Sequence, residues 1–519
     1  MCREYLLTQP TIRILPPETY IPKQMKESDK ISIFDLASPL DFRYYASDSA
    51  VFERLKGHAS EEAYVQAQLK VELELLWALE EVGIAPKGTY AKAGKAPITA
   101  QKVYEEEKKT EHNVRALVNL IQKALPPEAA PYVHLFATSM DITDTAQALR
   151  IKAMVEEVIL PDLITLTELI TQMAKKEDKT FQIGRTHGQF AEPVTFGFYL
   201  AYYASRLLGR IEKIQEANSR LVGKFAGPVG AYNSLALAFG DKAPLFEKLI
   251  LSRLGLEVNE RQVSTQIVQP EPLTDLGYAI LSAFSVLANL ADDMRHLYRS
   301  EIAEVYERGA EKRVGSSTMP HKINPKDFEN VKSLWKAYAP RMVTLLSDQI
   351  SEHQRDLTNS ASNRFAVELF VAFEQVVLRM TKALSRLEPN RENLKKNLEA
   401  SKPLIVAEPI YIALALAGHP APYEKAKELA NRVRNKGENP VAIVKKELPE
   451  YWNKISDQAK KILDDPAAYT GAAPARAVEI ATAVAKRLSQ LKAELKKPAP
   501  KKDFSAEIEE LKAALEKQR

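Results

Sequence analysis

Eleven residues, Gly315-Ser316-Ser317-Thr318-Met319-Pro320-His321-Lys322-Ile323-Asn324-Pro325, interrupt two long helical patterns and limit what this chain can fold into. Pro320 and Pro325 disfavour a regular helix here, and Gly315 permits a turn that other residues resist. The result is a polar loop set between long helices. With only 19 glycines among 519 residues, and abundant Ala, Leu, Glu and Lys, the rest of the chain is expected to be mainly helical. The loop gathers three hydroxyls, a lysine and an asparagine. The Ser316 hydroxyl becomes a base only where its alkoxide is stabilised, and Lys322 and Asn324 are suited to hold an oxyanion. Composition alone fits equally well a polar connection between two helices.

The order of residues goes further than composition. Every fixed position of Gly-Ser-Ser-x-Met-Pro-x-Lys-x-Asn-Pro is filled, and the stretch resembles the signature loop of the fumarase/aspartase superfamily. Members eliminate fumarate, or a close analogue, from a succinyl-type substrate. The resemblance implies an all-α, three-domain fumarase/aspartase-type fold with a long central helical bundle. It also implies homotetramers in which each active site draws residues from three chains. On this pattern we expect an N-terminal extension over 1–30, a helical domain over 31–137 and the central bundle over 138–386. A C-terminal helical domain over 387–490 and a linker with a short tail helix over 491–519 complete the chain.

Other segments narrow the resemblance to the adenylosuccinate lyases. Ser38-Pro39-Leu40-Asp41-Phe42-Arg43-Tyr44 is similar to a segment in which the Arg-Tyr pair helps hold the nucleotide; taken alone it is also a helix-capping turn with a surface arginine. His112-Asn113 stands where most of these enzymes have His-Asp in the active-site lining. The missing carboxylate leaves His112 a neutral hydrogen-bonding role. His134-Leu135-Phe136-Ala137-Thr138-Ser139-Met140-Asp141 offers three N-cap residues before a helix expected near residue 142. It resembles the region that binds a carboxylate of the fumaryl portion, with Thr138 and Ser139 as ligands and His134 and Asp141 in support. Arg185-Thr186-His187-Gly188-Gln189 resembles the second shared region, which makes His187 the general acid and Thr186 a substrate ligand. An imidazole titrating near ~6.5 suits a proton donor at neutral pH.

The glycine-rich turn over 224–233 resembles another lyase segment, and it lacks the spacing of a dinucleotide fingerprint. Gln266 matches a substrate-contacting glutamine, and Asn330 lies just past the signature loop in the same substrate-binding set. Arg355-Asp356-Leu357-Thr358-Asn359-Ser360, closing at Arg364, resembles the segment that grips the nucleotide phosphate; arginine forks suit such a dianion. This segment separates nucleotide-substrate members from fumarase and aspartase, and argues against argininosuccinate lyase and carboxymuconate cycloisomerase. A non-catalytic relative of the lens-crystallin kind remains the alternative from another class.

By resemblance Ser316 is the base, His187 the acid, and Lys322 and Asn324 meet the charge of an aci-carboxylate intermediate. The implied partner is a succinyl-nucleotide, with no cofactor and no metal; no histidine–carboxylate cluster has ligand spacing. A net charge of +4 is too small to argue for nucleic acid or a membrane surface. One cysteine, Cys2, rules out an intrachain disulfide and fits a reducing compartment, so the expected location is cytoplasmic. No run is expected to reach the ~20 apolar residues that span a bilayer. Apolar periodicity predicts helices over 61–82, over 142–176 with a kink at Pro161, over 273–305 and over 327–351, and a proline-started helix after Glu192. Phe504, Ile508, Leu511 and Leu515 form a narrow stripe on a tail helix too short to stand alone, which must dock or pair.

Overall fold

The structure, a computed structural model, describes residues 32–256, 263–309, 317–497 and 502–519. Gly315 and the expected base Ser316 lie outside these residues, as do the 1–30 extension and most of the 497–503 linker.

Five long helices make the centre: Leu160–Lys176, Phe196–Ser219, Glu271–Leu297, Ser360–Leu384 and Ala473–Leu495. They pack side by side into the all-α bundle. Leu163, Leu207, Leu287, Phe373 and Leu488 are fully buried between them, each worth about 2 kcal/mol of apolar burial. Glu61–Glu81 begins at Ser60, whose hydroxyl accepts the Ala63 N–H at 3.1 Å, with Glu61 and Glu62 complementing the helix dipole. A separate small core, including Val406, Ile410, Leu429 and Val444, sits in the shorter helices near the C-terminus.

Local chemistry shifts several expected boundaries. The 142–176 stretch starts earlier, at Ser139, and is two helices, Ser139–Met154 and Leu160–Lys176, joined through a π-helical turn, Val155–Ile159. Pro161 falls in the first turn of the second helix, where its missing N–H costs little, so the widened turn replaces a sharp kink. The expected helix after Glu192 starts later, at Phe196, capped by Thr195; Pro193 sits in a strand. The 273–305 helix is Glu271–Leu297, followed by turns and a short strand β3, Val305–Glu307, paired with β4, Leu387–Pro389. The 327–351 helix is split at Pro340 into Lys326–Tyr338 and Arg341–Ser347. Contrary to the sequence expectation, Glu271–Leu297 is long and apolar enough to cross a membrane; 67% of its apolar window is buried within the fold, as in a core helix.

Candidate active site

Five chain segments converge on a cavity of about 320 Å³, one of them the Ala100–Thr110 helix with Val103, Tyr104 and Glu107. Tyr64 and Gln68 come from the 61–81 helix, His112 and Asn113 from the start of Asn113–Lys123, and Ser139 and Asp144 from the 139–154 helix. Arg355, Ser360 and Arg364 close the remaining wall. Six of the residues singled out in the sequence therefore meet: His112, Asn113, Ser139, Arg355, Ser360 and Arg364.

His112 is itself the N-cap of its helix. Its Nδ1 accepts the Arg115 N–H at 3.3 Å, and its Nε2 lies 3.3 Å from Ser139 Oγ. A neutral ring with Nδ1 accepting carries its proton on Nε2, which then donates to Ser139. The backbone amide thus orients the imidazole, the job a neighbouring carboxylate would otherwise do.

Arg355 carries the strongest electrostatic signal. Its Nε and Nη1 are buried and have no hydrogen-bond partner among the described residues. A guanidinium taken from water without acceptors is costly, and an anionic ligand with several oxygens removes that cost. Beside it, burial pushes the Asp144 carboxyl up to about 6, partly offset by the Val268 N–H that Asp144 accepts at 3.1 Å and by the Arg355 charge. Burial likewise pushes the Tyr64 hydroxyl to about 12, so it acts as a donor; it points to the Thr143 carbonyl at 3.3 Å.

The two supporting residues prove to be ion-paired within the protein. Asp141 is fully buried; it accepts the Thr138 N–H at 2.7 Å, the Ala226 N–H at 3.2 Å and the Lys224 ammonium. This ties the start of the 139–154 helix, with Thr138 and Ser139, to the glycine-rich turn. Gly230 in that turn has φ +76°, and an added Cβ would lie 1.9 Å from the Ser264 carbonyl, so only glycine fits. Gln266 follows directly, and its N–H donates to the Gln354 carbonyl at 3.3 Å, next to Arg355. His134 pairs with buried Glu72 at 2.7 Å; burial opposes its charge, but the Glu72 carboxylate outweighs burial and raises its pKa.

The residue types of this cavity, and the order in which the chain supplies them, fit one family. Residues 26–336 match the family described as lyase, and residues 351–470 match the adenylosuccinate lyase C-terminal family. The chain is 36% identical to the adenylosuccinate lyase of Pyrococcus abyssi over 79% of its own length and 89% of the relative's. The chain belongs to the adenylosuccinate lyase family. Against the family's enzyme from Pyrococcus horikoshii it is 35% identical over 80% of this chain and 91% of that one. The crystal structure of 3-carboxy-cis,cis-muconate lactonizing enzyme from Pseudomonas putida shares its fold, with a TM-score of 0.71 at 26% identity, covering 84% of this chain and 97% of that one.

In this member of the adenylosuccinate lyase family the other expected site residues among the described ones do not line the cavity. Strands β1, Phe181–Thr186, and β2, Gln189–Thr195, form an antiparallel hairpin. His187 and Gly188 make its two-residue turn, with φ of 53° and 75°. Two positive φ values suit the twist of a tight hairpin; histidine tolerates the first position and glycine fills the second. Thr186 and His187 are exposed at the tip. Lys322 is exposed and Asn324 half-buried on the described part of the signature loop. Arg43 is exposed on the π-helical turn Leu40–Tyr45, and Tyr44 Oη accepts from Asn330 Nδ2 at 3.4 Å.

Some of the cavity residues that sequence reasoning missed share one signal. Met140, Thr143, Asp144 and Gln147 all line the cavity from the 139–154 helix. Their spacing of three and four puts them on one face, polar from Thr143 onward, of a helix otherwise read for its apolar side.

Proposed function

We propose that this chain is a carbon–nitrogen lyase that releases fumarate from adenylosuccinate to give AMP. The observation that carries the reading is the Arg355 guanidinium, whose buried Nε and Nη1 have no partner among the described residues, in a cavity shared with Ser360, Arg364, His112 and Ser139. Arg355 and Arg364 take the 5′-phosphate, while Arg43 and Tyr44 help hold the nucleotide, with Gln266 and Asn330 among the substrate contacts. Thr138, Ser139 and Thr186 take the succinyl carboxylates, and His112 donates a neutral hydrogen bond from Nε2.

In the step proposed, Ser316 as alkoxide removes the proton from the carbon β to the nitrogen, next to a carboxylate. The electron pair enters that carboxylate as an aci-carboxylate, which Lys322 and Asn324 stabilise; one such donor is worth about 10²–10³ in rate. The C–N bond then breaks, the pair forms the fumarate double bond, and His187 delivers a proton to the departing nitrogen. The same chemistry applies to succinylaminoimidazole carboxamide ribotide. Because His187 and Lys322 stand apart from the cavity within one chain, we place the complete site between subunits of a homotetramer. Val343, Leu346, Ile350 and Leu357, exposed and apolar along the stretch of chain that contains Arg355, support such a partner surface.

Purified protein incubated with adenylosuccinate should yield fumarate and AMP in equal amounts, and argininosuccinate should yield neither. Fumarate from argininosuccinate alone would refute the substrate assignment.

A further inference from the structure

Glu304 is fully buried and lies in none of the sequence segments that define the family's site. Its carboxylate accepts three side-chain donors: Gln182 Nε2 at 2.8 Å, Arg185 Nη2 at 2.6 Å and Asn397 Nδ2 at 2.9 Å. Gln182 and Arg185 belong to β1, and Arg185 lies two residues before His187. Glu304 itself lies one residue before β3, the strand that leads toward the signature loop.

The backbone around Glu304 is gripped as firmly. Ala303 has φ of 46°, a conformation non-glycine residues adopt only when their surroundings impose it. Here Asn393 Nδ2 donates to the Ala303 carbonyl at 3.1 Å, Asn397 Nδ2 to the Ile302 carbonyl at 2.9 Å, and the Asn390 N–H to the Glu304 carbonyl at 2.8 Å. Further along, Arg386 donates both to Glu307 in β3, at 3.2 Å, and to Asp327 beyond the signature loop, at 2.9 Å. Both ends of the loop are therefore anchored on one arginine, and the upstream end is tied to the hairpin by one carboxylate.

A buried ion pair is a poor way to gain stability, since apolar packing of the same volume does as well. It is a good way to fix direction, because three donors from one strand and one helix must converge on two oxygens. We propose that Glu304 is a positioning residue that holds the His187 hairpin in fixed register with the stem of the signature loop, acting through Arg185. The inference rests on the reading of His187 as the proton donor. It adds that the acid-bearing hairpin and the stem of the signature loop over 304–309 move as one unit.

The test pairs amide hydrogen exchange with steady-state kinetics on Glu304→Gln, Arg185→Gln and the double variant of the full-length protein. Glu304→Gln keeps the shape and one acceptor oxygen but removes the charge. Each single variant should exchange faster in 181–195 and in 305–309, while the 61–81 helix exchanges as in wild type. With adenylosuccinate, kcat should fall at least tenfold with KM changed less than about twofold, and the double variant should be no worse than either single. Exchange unchanged in both segments overturns the inference whatever the activity, as do additive effects on kcat. If Glu304→Gln does not fold, Arg185→Gln alone decides, because Arg185 is partly solvated. A wild type inactive on adenylosuccinate would remove the functional reading, and the exchange data would still decide the coupling.

Discussion

Asp144 lies beside Arg355, and its chemistry makes a prediction about pH. The folded protein raises its carboxyl to about 6 from an ordinary 3.8, so the folded state holds its proton more tightly than the unfolded state does. A raised pKa contributes stability at low pH that is lost as pH climbs through the folded value. Asp144→Asn abolishes this loss while keeping an oxygen for the Val268 N–H. Its stability relative to wild type should therefore grow by about 1 kcal/mol between pH 5 and pH 7.5. Urea unfolding at the two pH values checks this, and a constant or shrinking difference would contradict it. His112, Ser139 and Arg355 stood out in the sequence because their motifs are fixed strings, and the three line one cavity. The use of His112 Nδ1 as a helix cap was not, since it depends on the helix starting at Asn113. Nor was the raised pKa of Asp144, because burial is set by segments more than a hundred residues away.

Among elements, the tail helix Ser505–Gln518 resolves the choice between docking and pairing in favour of docking on its own chain. Leu511 and Leu515 are buried in the main core, and Phe504 meets Trp77 edge-on at 6.1 Å. Lys242 pairs with Glu510 at 2.5 Å, and the helix covers the Asn233–Phe239 and Ala243–Leu254 helices. The second of these carries Glu247, which accepts the Tyr232 hydroxyl and the Phe225 N–H and so steadies the glycine-rich turn. Leu511→Ala should cost about 2–4 kcal/mol, and deleting 502–519 should lower the unfolding temperature and raise KM for adenylosuccinate. A deletion with unchanged thermal unfolding would contradict this. Periodicity gave the tail stripe and the bundle helices, since 3.6-residue spacing is a local signal. It missed the β1–β2 hairpin around His187: the local cue is a single glycine, Gly188, at the turn, and β pairing is a non-local contact between strands. It also missed the break at Pro340, where apolar spacing continues across the proline.

At the scale of the whole molecule, the cavity with His112 and Arg355 and the exposed tips with His187 and Lys322 are separate parts of one chain. A homotetramer with shared sites would bring them together. The protein should sediment at about four times the 58.1 kDa chain mass. With adenylosuccinate well below the wild-type KM, where His187→Ala is silent and the raised KM of Arg355→Ala leaves only a small rate, coexpressed chains should exceed the summed rates of the two variants, because mixed oligomers contain sites free of both changes. No recovery would place the two residues in the site of a single chain. The most direct test of the nucleotide-phosphate cavity is the steady-state rate on adenylosuccinate for wild type and Arg355→Ala, with AMP as inhibitor. Removing a charge-assisted phosphate contact of about 1.5–3 kcal/mol should raise KM roughly tenfold to a hundredfold and weaken AMP inhibition in parallel. An active Arg355→Ala enzyme with wild-type KM and wild-type AMP inhibition would show that the phosphate binds elsewhere.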